Sequence, residues 1–423
     1  MQTITTMQRL LPDARTPESL DAHVDVFGPR PVVDPRTLIE ALDESGLRGR
    51  GGAGFPTGTK WRAVMQHANG AGAVVIANAA EREPASHKDR TLMLLRPHLV
   101  LDGLEHAAET LGARRAIVYT SRADDDMRRT LQAAITERRQ VADTRVFIEV
   151  ATGPNRYVAG EETALIARVS GRLAKPRVVP PRPYENGVDG IPTLVQNVET
   201  LAHAALIARR GASWFRSVGT TRTPGTALVS VTGAVASPGV FETDATATVG
   251  DLAGRAGGVI GEPSAVMIGG YSGRWVTAAA VMNVPIDIDS LRSAGASLGA
   301  GILAFLPVNA CGVVETDRVL TYLASESARQ CGPCHVGLPA LADTFHHVAT
   351  GRARPAALDT LLRWSGDVLG RGACQHPDGA ARFLMSALQV FGADLRHHLR
   401  NGACRYSGQP PLLPIPESEA GWW

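Results

Sequence analysis

The chain lacks a dominant charge: 43 Lys and Arg stand against 41 Asp and Glu, for a net charge of +2 over 423 residues. That balance gives no reason to propose nucleic acid or an acidic membrane surface as a partner. No apolar run reaches the length of a membrane span, and the segment from Met1 to Leu20 has no apolar stretch suited to export. The expected location is cytoplasmic, at most peripheral to a membrane complex. Cysteine is scarce. Five in a chain this long do not build a disulfide framework, and Cys331 and Cys334, in a CxxC, read instead as metal or redox chemistry in a reducing compartment. The length allows about two to four domains with substantial cores.

Glycine, by contrast, is concentrated. The stretch Ser45 to Trp61 holds six glycines, at 46, 49, 51, 52, 54 and 58, interleaved with Arg48, Arg50 and Lys60. Such a run has almost no side chains to bury, so it is not core. Glycine lets a flat ligand approach the main chain closely, and successive N–H groups with three cations nearby form an anion-binding concavity. The stretch reads as a cradle for a phosphorylated cofactor rather than a surface loop, because Phe55, Pro56 and Trp61 are costly residues on a mobile tip.

Around it the pattern alternates. Residues 1–34 are polar with scattered prolines and read as a loosely held arm. Pro35–Glu44 has helical spacing. Ala73–Ala77, Ala116–Tyr119 and Val146–Val150 are short apolar runs separated by amphipathic helices over Pro97–Leu111 and Asp124–Arg139. This β-α-β-α-β rhythm predicts a Rossmann-like parallel sheet. Thr226–Glu242 reads as a hairpin about Ser237-Pro-Gly239, Thr248–Ala256 as a helix closed by Gly257 and Gly258, and Val266–Ile268 and Ile302–Leu306 as strands. Helices are expected over Val319–Ser327 and about Gly379–Leu399. The His346–His347 and His397–His398 pairs are expected at solvated or interface positions, and the Pro-rich tail from Gln409 is expected to be extended, docked on a partner or disordered. The fold class is therefore α/β, with an arm (1–34), a Rossmann-like unit (35–220), a small β-rich unit (221–312), a helical unit carrying the CxxC (313–408) and a tail (409–423).

Three further segments carry chemistry. Asn78, Glu81 and Glu83 sit in the turn after the first strand, where ligands bind in α/β sheets, and acids there can accept hydrogen bonds from ribityl or ribose hydroxyls. Glu161 and Glu162 head an apolar helix after Tyr157 and Gly160, as a helix dipole favours. Gln196 and Asn197 lie in the middle of the run Pro192–Thr200.

Together these motifs resemble the NADH-binding flavoprotein subunit of respiratory complex I, the module also found in NAD-linked hydrogenases and formate dehydrogenases. The resemblance runs from about Phe27 to about Leu399. It implies that the loop with Gly49, Arg50, Gly51, Gly52 and Lys60 wraps FMN, assisted by Asn78, Glu81, Tyr157, Gly160, Glu161, Gln196 and Asn197. It implies that Phe55 stacks the nicotinamide of NAD(H) or NADP(H), with Glu83 and Glu162 orienting its amide and ribose. It further implies an iron–sulfur cluster on Cys331, Cys334 and Cys374, and electron delivery to a ferredoxin-like or thioredoxin-like [2Fe–2S] partner or a quinone-linked one. The alternative is a degenerate flavin-binding or non-catalytic scaffold subunit, motivated by departures from the family pattern: Ala63, Ala80, Val179, Arg182 and Ala328. The altered aromatic positions raise a shift toward NADPH, with Arg82 and Arg182 meeting a phosphate. Ala328 stands where the family has its first cluster cysteine, and alanine cannot ligate iron. A cluster with a foreign fourth ligand, a [3Fe–4S] cluster, no stable cluster, and a zinc or other site all stay open. Cys311 and Cys404 are the other thiols, the second expected far from Cys374.

Overall fold

Short β-branched and apolar runs make the first sheet. β1 (Val74–Asn78), β2 (Arg115–Ser121), β3 (Phe147–Gly153) and β4 (Thr193–Asn197) lie in the order β3-β2-β1-β4, all parallel. The computed structural model describes residues 9–12, 16–68, 70, 72–113, 115–141, 146–417 and 419–423. Parallel strands are covered on both faces and so carry near-continuous apolar sequence. Here the helices Pro97–Thr110 and Val198–Phe215 cover one face, and nearly every residue of the first is buried. Tyr119, Leu165, Ile166 and Val188 fill the other. In this register Asn78 is paired with Asn197, so both amides stand side by side at the carboxyl end of the sheet.

The second sheet is mixed. β5 (Thr226–Gly233), β6 (Gly239–Asp244), β7 (Pro263–Ile268), β8 (Arg274–Thr277) and β9 (Ile302–Pro307) run in the order β6-β5-β9-β7-β8, with β5 and β9 parallel and the rest antiparallel. Strand side chains alternate between faces. Val266, Ile268, Leu303 and Phe305 face the helix Val249–Arg255, while Ala265, Met267, Ile302 and Ala304 face the C-terminal helices. The Thr248–Asp251 capping box starts that small helix. The C-terminal unit packs Gly312–Ser325, Leu338–Ala349, Ala357–Val368, His376–Val390 and Gly392–Asn401 around Leu323, Phe345, Leu361 and Phe383.

The structure departs from the sequence expectations in four places. Among the described residues of the arm, little is loose. Leu20–Phe27 is a helix, and its His23 is bound to buried Asp102 at 2.8 Å. Burial alone would raise Asp102, but His23, Arg138 and Arg209 hold its carboxyl well below the usual range. Glu242 also takes the N–H groups of Arg9, Leu10 and Leu11. Secondly, the helix expected from Val319 begins at Gly312. Thirdly, the helix expected over Gly379–Leu399 is two helices broken at Phe391, whose ring sits where a Cβ on Gly312 would stand 2.3 Å away. Lastly, the tail docks on its own chain. Glu315 accepts from the N–H groups of Leu412 and Leu413, Arg156 donates to the Glu419 carbonyl at 2.8 Å, and the Ala174 N–H meets the Trp422 carbonyl at 2.7 Å.

Candidate functional site

The glycine stretch is a closed finger. Gly49 N–H donates to the Phe55 carbonyl at 2.8 Å and Thr57 N–H to the Leu47 carbonyl at 2.9 Å, which leaves residues 50–54 as the tip. The tip rests against the end of β4. Arg50 N–H donates to Thr200 Oγ1 at 2.8 Å and its guanidinium to the Thr226 carbonyl at 2.9 Å. A Cβ on Gly51 would stand 3.3 Å from Asn197 Cβ, and one on Gly49 would stand 4.0 Å from Gln196 Nε2. Gly52 takes φ +107°, which a side chain would strain. Phe55 stands at the rim, 52% exposed. The finger runs into the helix Thr57–Ala68, from whose first turn Lys60 reaches Glu162 at 2.9 Å.

A buried ionic lattice supports the finger. Lys88 pairs with Asp89 at 2.7 Å and Glu199 at 2.9 Å. Burial alone would lower Lys88, but Asp89, Glu199 and Glu81 outweigh it and raise its pKa. Glu199 Oε1 accepts from Leu228 N–H and lies 3.9 Å from Arg50 Nε, so one carboxylate ties the finger, β5 and Lys88 together. Glu199 lies within the run Pro192–Thr200 read from the sequence, but its signal there is only a charge near Asn197, and Lys88 carries no signal of its own. Among the described residues, buried Gln196 Oε1 and Arg50 Nε have no hydrogen-bond partner. Unpaired buried polar atoms are expensive. Gln196 Oε1, an acceptor, belongs to a side chain that lies against bare glycine backbone, so the finger fits a flat, polar group with an N–H to donate, such as the flavin of FMN.

The remaining predicted residues are dispersed around this cradle. Asn78 Nδ2 donates to the Gly160 carbonyl at 2.9 Å, and a Cβ on Gly160 would meet the Ala80 carbonyl at 2.8 Å. Asn197 caps the helix Val198–Phe215 and donates to Asp89 at 2.7 Å. Glu81 turns away to accept from Ser86 and from the N–H groups of Asp89 and Arg90, so it holds the start of the helix Lys88–Leu95. Burial, then the charge of Asp89, raises its pKa. Glu161 caps the helix Glu162–Val169 and is likewise raised by burial.

Glu83 and Tyr157 meet in a separate cavity of about 330 Å³, also lined by Arg82, Asp124, Asn155 and Pro416. No residue of the glycine finger lines it. Tyr157 hydroxyl donates to Glu83 at 2.8 Å, and Tyr271 N–H donates to the same carboxylate at 3.1 Å. Burial pushes Glu83 up to about 7 against both donors. Arg82 is engaged there by Asp124 at 2.7 Å and by Asn155. Arg182 is exposed.

The three aligned cysteines do come together. Cys331 and Cys334 lie close enough to influence each other electrostatically, and Cys374 feels Glu161 and both thiols. Burial pushes Cys334 up to about 11 and Cys374 up to about 12. Ala328 is buried beside them, and Ser327 Oγ donates to the Cys334 carbonyl at 2.9 Å. The residues fit three thiolate ligands of an iron–sulfur cube, and no fourth thiol reaches them. Cys311 and Cys404 lie together beside His398. They sit at the start of the 14-residue helix Gly312–Ser325, about 21 Å long at 1.5 Å per residue, whose far end leads to Cys331. His398 is fully buried within the chain, where a solvated or interface position was expected.

A parallel-sheet flavin cradle joined through a β-grasp sheet to a thiol-bearing helical unit defines the class: a flavin and iron–sulfur electron-transfer protein. The family models agree: residues 42–205 match the Nuo51 FMN-binding domain, and residues 315–398 match the NADH-ubiquinone oxidoreductase-F iron-sulfur binding region. The chain is 35% identical over 392 residues to the F subunit of NADH-quinone oxidoreductase from Mycobacterium tuberculosis, covering 90% of this chain and 88% of that one. It is 32% identical over 382 residues to the corresponding F subunit from Streptomyces coelicolor, covering 88% and 85%. Among solved structures, it resembles a chain of an NAD+-reducing [NiFe]-hydrogenase in the H2-reduced state, with a TM-score of 0.82 and 34% identity. That match covers 87% of this chain but spans only 63% of the hydrogenase chain. The protein belongs to the family of NADH-quinone oxidoreductase F subunits.

Proposed function

We propose that the chain is the NADH-oxidising flavoprotein of a multi-subunit oxidoreductase, peripheral to the membrane on the cytoplasmic side. The observation that carries this reading is the cradle, in which glycine backbone, Arg50 and the unpaired Gln196 amide converge beside Asn78 and Asn197. Bound FMN supplies acceptance of a hydride from the nicotinamide and its release as single electrons. The residues of this chain position the reactants. Gly49, Gly51 and Gly52 let the flavin lie on the main chain, and Arg50 and Lys60 offer positive charge. Gln196 and Asn197 offer amide contacts. Phe55 covers the nicotinamide from the rim, and Glu162, steered by Lys60, orients its polar groups. Glu81, Glu161, Asn78 and Gly160 hold the surrounding turns, while Glu83 and Tyr157 shape the adjoining wall. Cys331, Cys334 and Cys374 hold the cluster, and the acceptor is a ferredoxin-like or thioredoxin-like [2Fe–2S] protein of the same assembly. In this reading residues 35–220 form the flavin unit, 221–312 the β-grasp unit and 313–408 the iron–sulfur unit.

The test is the absorption spectrum of anaerobically purified protein, reconstituted with FMN and then titrated with NADH and, separately, NADPH. Flavin bands that bleach with NADH support the reading. A chain that retains no FMN after reconstitution overturns it and returns the scaffold alternative.

A further inference from the structure

A second cluster of metal-ligating side chains stands apart from the flavin cradle and the cysteine trio. Cys311 Sγ, a ring nitrogen of His398 and Cys404 Sγ all lie within 4.8 Å of one another. Cys311 immediately precedes the helix Gly312–Ser325, His398 is in the last turn of Gly392–Asn401, and Cys404 follows the turn after it. We propose that these three side chains form a structural zinc site that fastens the tail segment to the helical unit.

The geometry is that of a tetrahedral edge. Zinc–sulfur and zinc–nitrogen bonds of about 2.3 and 2.0–2.1 Å put tetrahedral ligand atoms about 3.5–3.8 Å apart. The Cys311 Sγ to His398 Nε2 distance is 3.5 Å. The imidazole is also oriented for the task. His398 Nδ1 lies 2.8 Å from the Ala349 carbonyl and donates its proton there, which turns the Nε2 lone pair toward the thiols. A backbone carbonyl is a common outer partner for a metal-bound histidine. Nε2 otherwise has only the Cys404 N–H at 3.4 Å and the Cys311 thiol.

Backbone features bring Cys404 back to the site. Gly402 ends the helix at φ +82°, and a Cβ on Gly351 would stand 2.5 Å from Gly402 Cα. Two facing glycines therefore allow the tight reversal between His398 and Cys404. Charge also balances. Each thiol gives up a proton to solvent on binding, and two thiolates with a neutral imidazole cancel a divalent cation, so the filled site carries no net charge into a buried place. Three protein ligands leave one position for water, and Ser407 Oγ stands 3.5 Å from Cys404 Sγ, beside it. Soft thiolates with imidazole in a tetrahedral arrangement select zinc over the oxygen-seeking cations.

The test separates this site from the iron–sulfur thiols. In the full-length C331S/C334S/C374S background, metal analysis is expected to find roughly one zinc per chain, lost on adding C404S or H398A. In the wild-type chain produced on cobalt medium, a thiolate-to-cobalt charge-transfer band is expected to vanish with C404S and persist with C374S; this second arm stands if the triple variant does not fold. Zinc absent from the background, or retained when Cys311 and Cys404 are both serine, overturns the proposal. So does a resting Cys311–Cys404 disulfide, seen as a chain two hydrogens lighter before reduction.

Discussion

Lys60 and Glu162, separated by 102 positions in sequence, meet at 2.9 Å and join the helix behind the glycine finger to the helix that Glu161 caps. Both are partly exposed, so the pair adds only about 0.2–1 kcal/mol to folding. Its value lies in position. Lys60→Met is expected to weaken FMN retention by roughly tenfold, about 1.4 kcal/mol, with little change in thermal unfolding. Glu162→Gln is expected to keep the flavin and raise the KM for NADH. Flavin content by absorbance and steady-state kinetics check the pair, and a large loss of stability in either variant would contradict this assignment.

Glu83 gives the fold a pH signature. Its carboxyl is raised from 4.5 to about 7 by burial, so the folded state binds the proton more tightly than the unfolded state. Its stabilising contribution is complete below the unfolded value and is lost as pH rises through about 7. Glu83→Gln should remove that decline. Denaturant melts between pH about 4.5 and about 7.5 are expected to show wild type losing on the order of 1–3 kcal/mol relative to the variant. His98, His106 and His376 are each lowered to about 4, chiefly by burial, and act in the opposite direction. The comparison with Glu83→Gln isolates the carboxyl, and parallel curves would refute its role.

Gly160 has no room for a side chain, because the Ala80 carbonyl would stand 2.8 Å from its Cβ. Gly160→Ala is expected to push the Asn78–Pro84 and Tyr157–Gly160 turns apart, at a cost of about 1–3 kcal/mol. It should also reduce FMN retention, because Asn78 donates to the Gly160 carbonyl. Calorimetry and flavin content measure the two effects, and unchanged values for both would rule out the close packing as a constraint.

The cluster should be fragile in a way one substitution repairs. Under the proposed function, Cys331, Cys334 and Cys374 offer three ligand thiols and Ala328 none. Ala328→Cys is expected to slow iron loss in air, and Cys374→Ser to speed it. Cys311→Ser and Cys404→Ser should leave the iron content unchanged, since those thiols lie at the other end of the helix Gly312–Ser325. Anaerobic iron and sulfide analysis followed by timed air exposure checks all four variants.

Much of this was legible in the chain because local signals and global fold agree. The strand runs, the Ser237-Pro-Gly239 hairpin and the Thr248–Ala256 helix each follow from neighbouring residues. The misses share one cause: the deciding partner is distant in sequence. His23 reads as a polar residue in an arm until Asp102, 79 positions on, takes it into the core. His398 reads as half of a solvated pair until Cys311, 87 positions earlier, meets it. Phe391 breaks a helix only because Gly312 leaves space for its ring. The site was legible as a set of motifs, and the place of Glu161 at the head of a helix was among them, but Glu81 accepts from the N–H groups of Asp89 and Arg90, a choice made by backbone geometry that spacing does not encode.

The tail carries a consequence for timing. Arg156 and Glu419 are 263 positions apart, so their contact cannot form until residue 419 has left the ribosome. Domains settle largely in order of synthesis, and contacts this remote are the slowest to close. The parallel sheet and its glycine finger are thus complete while Pro416, which lines the neighbouring cavity, is still absent. Newly made chains pass through an interval in which the wall beside Glu83 is open, and the length of that interval is set by the rate at which the last residues are translated.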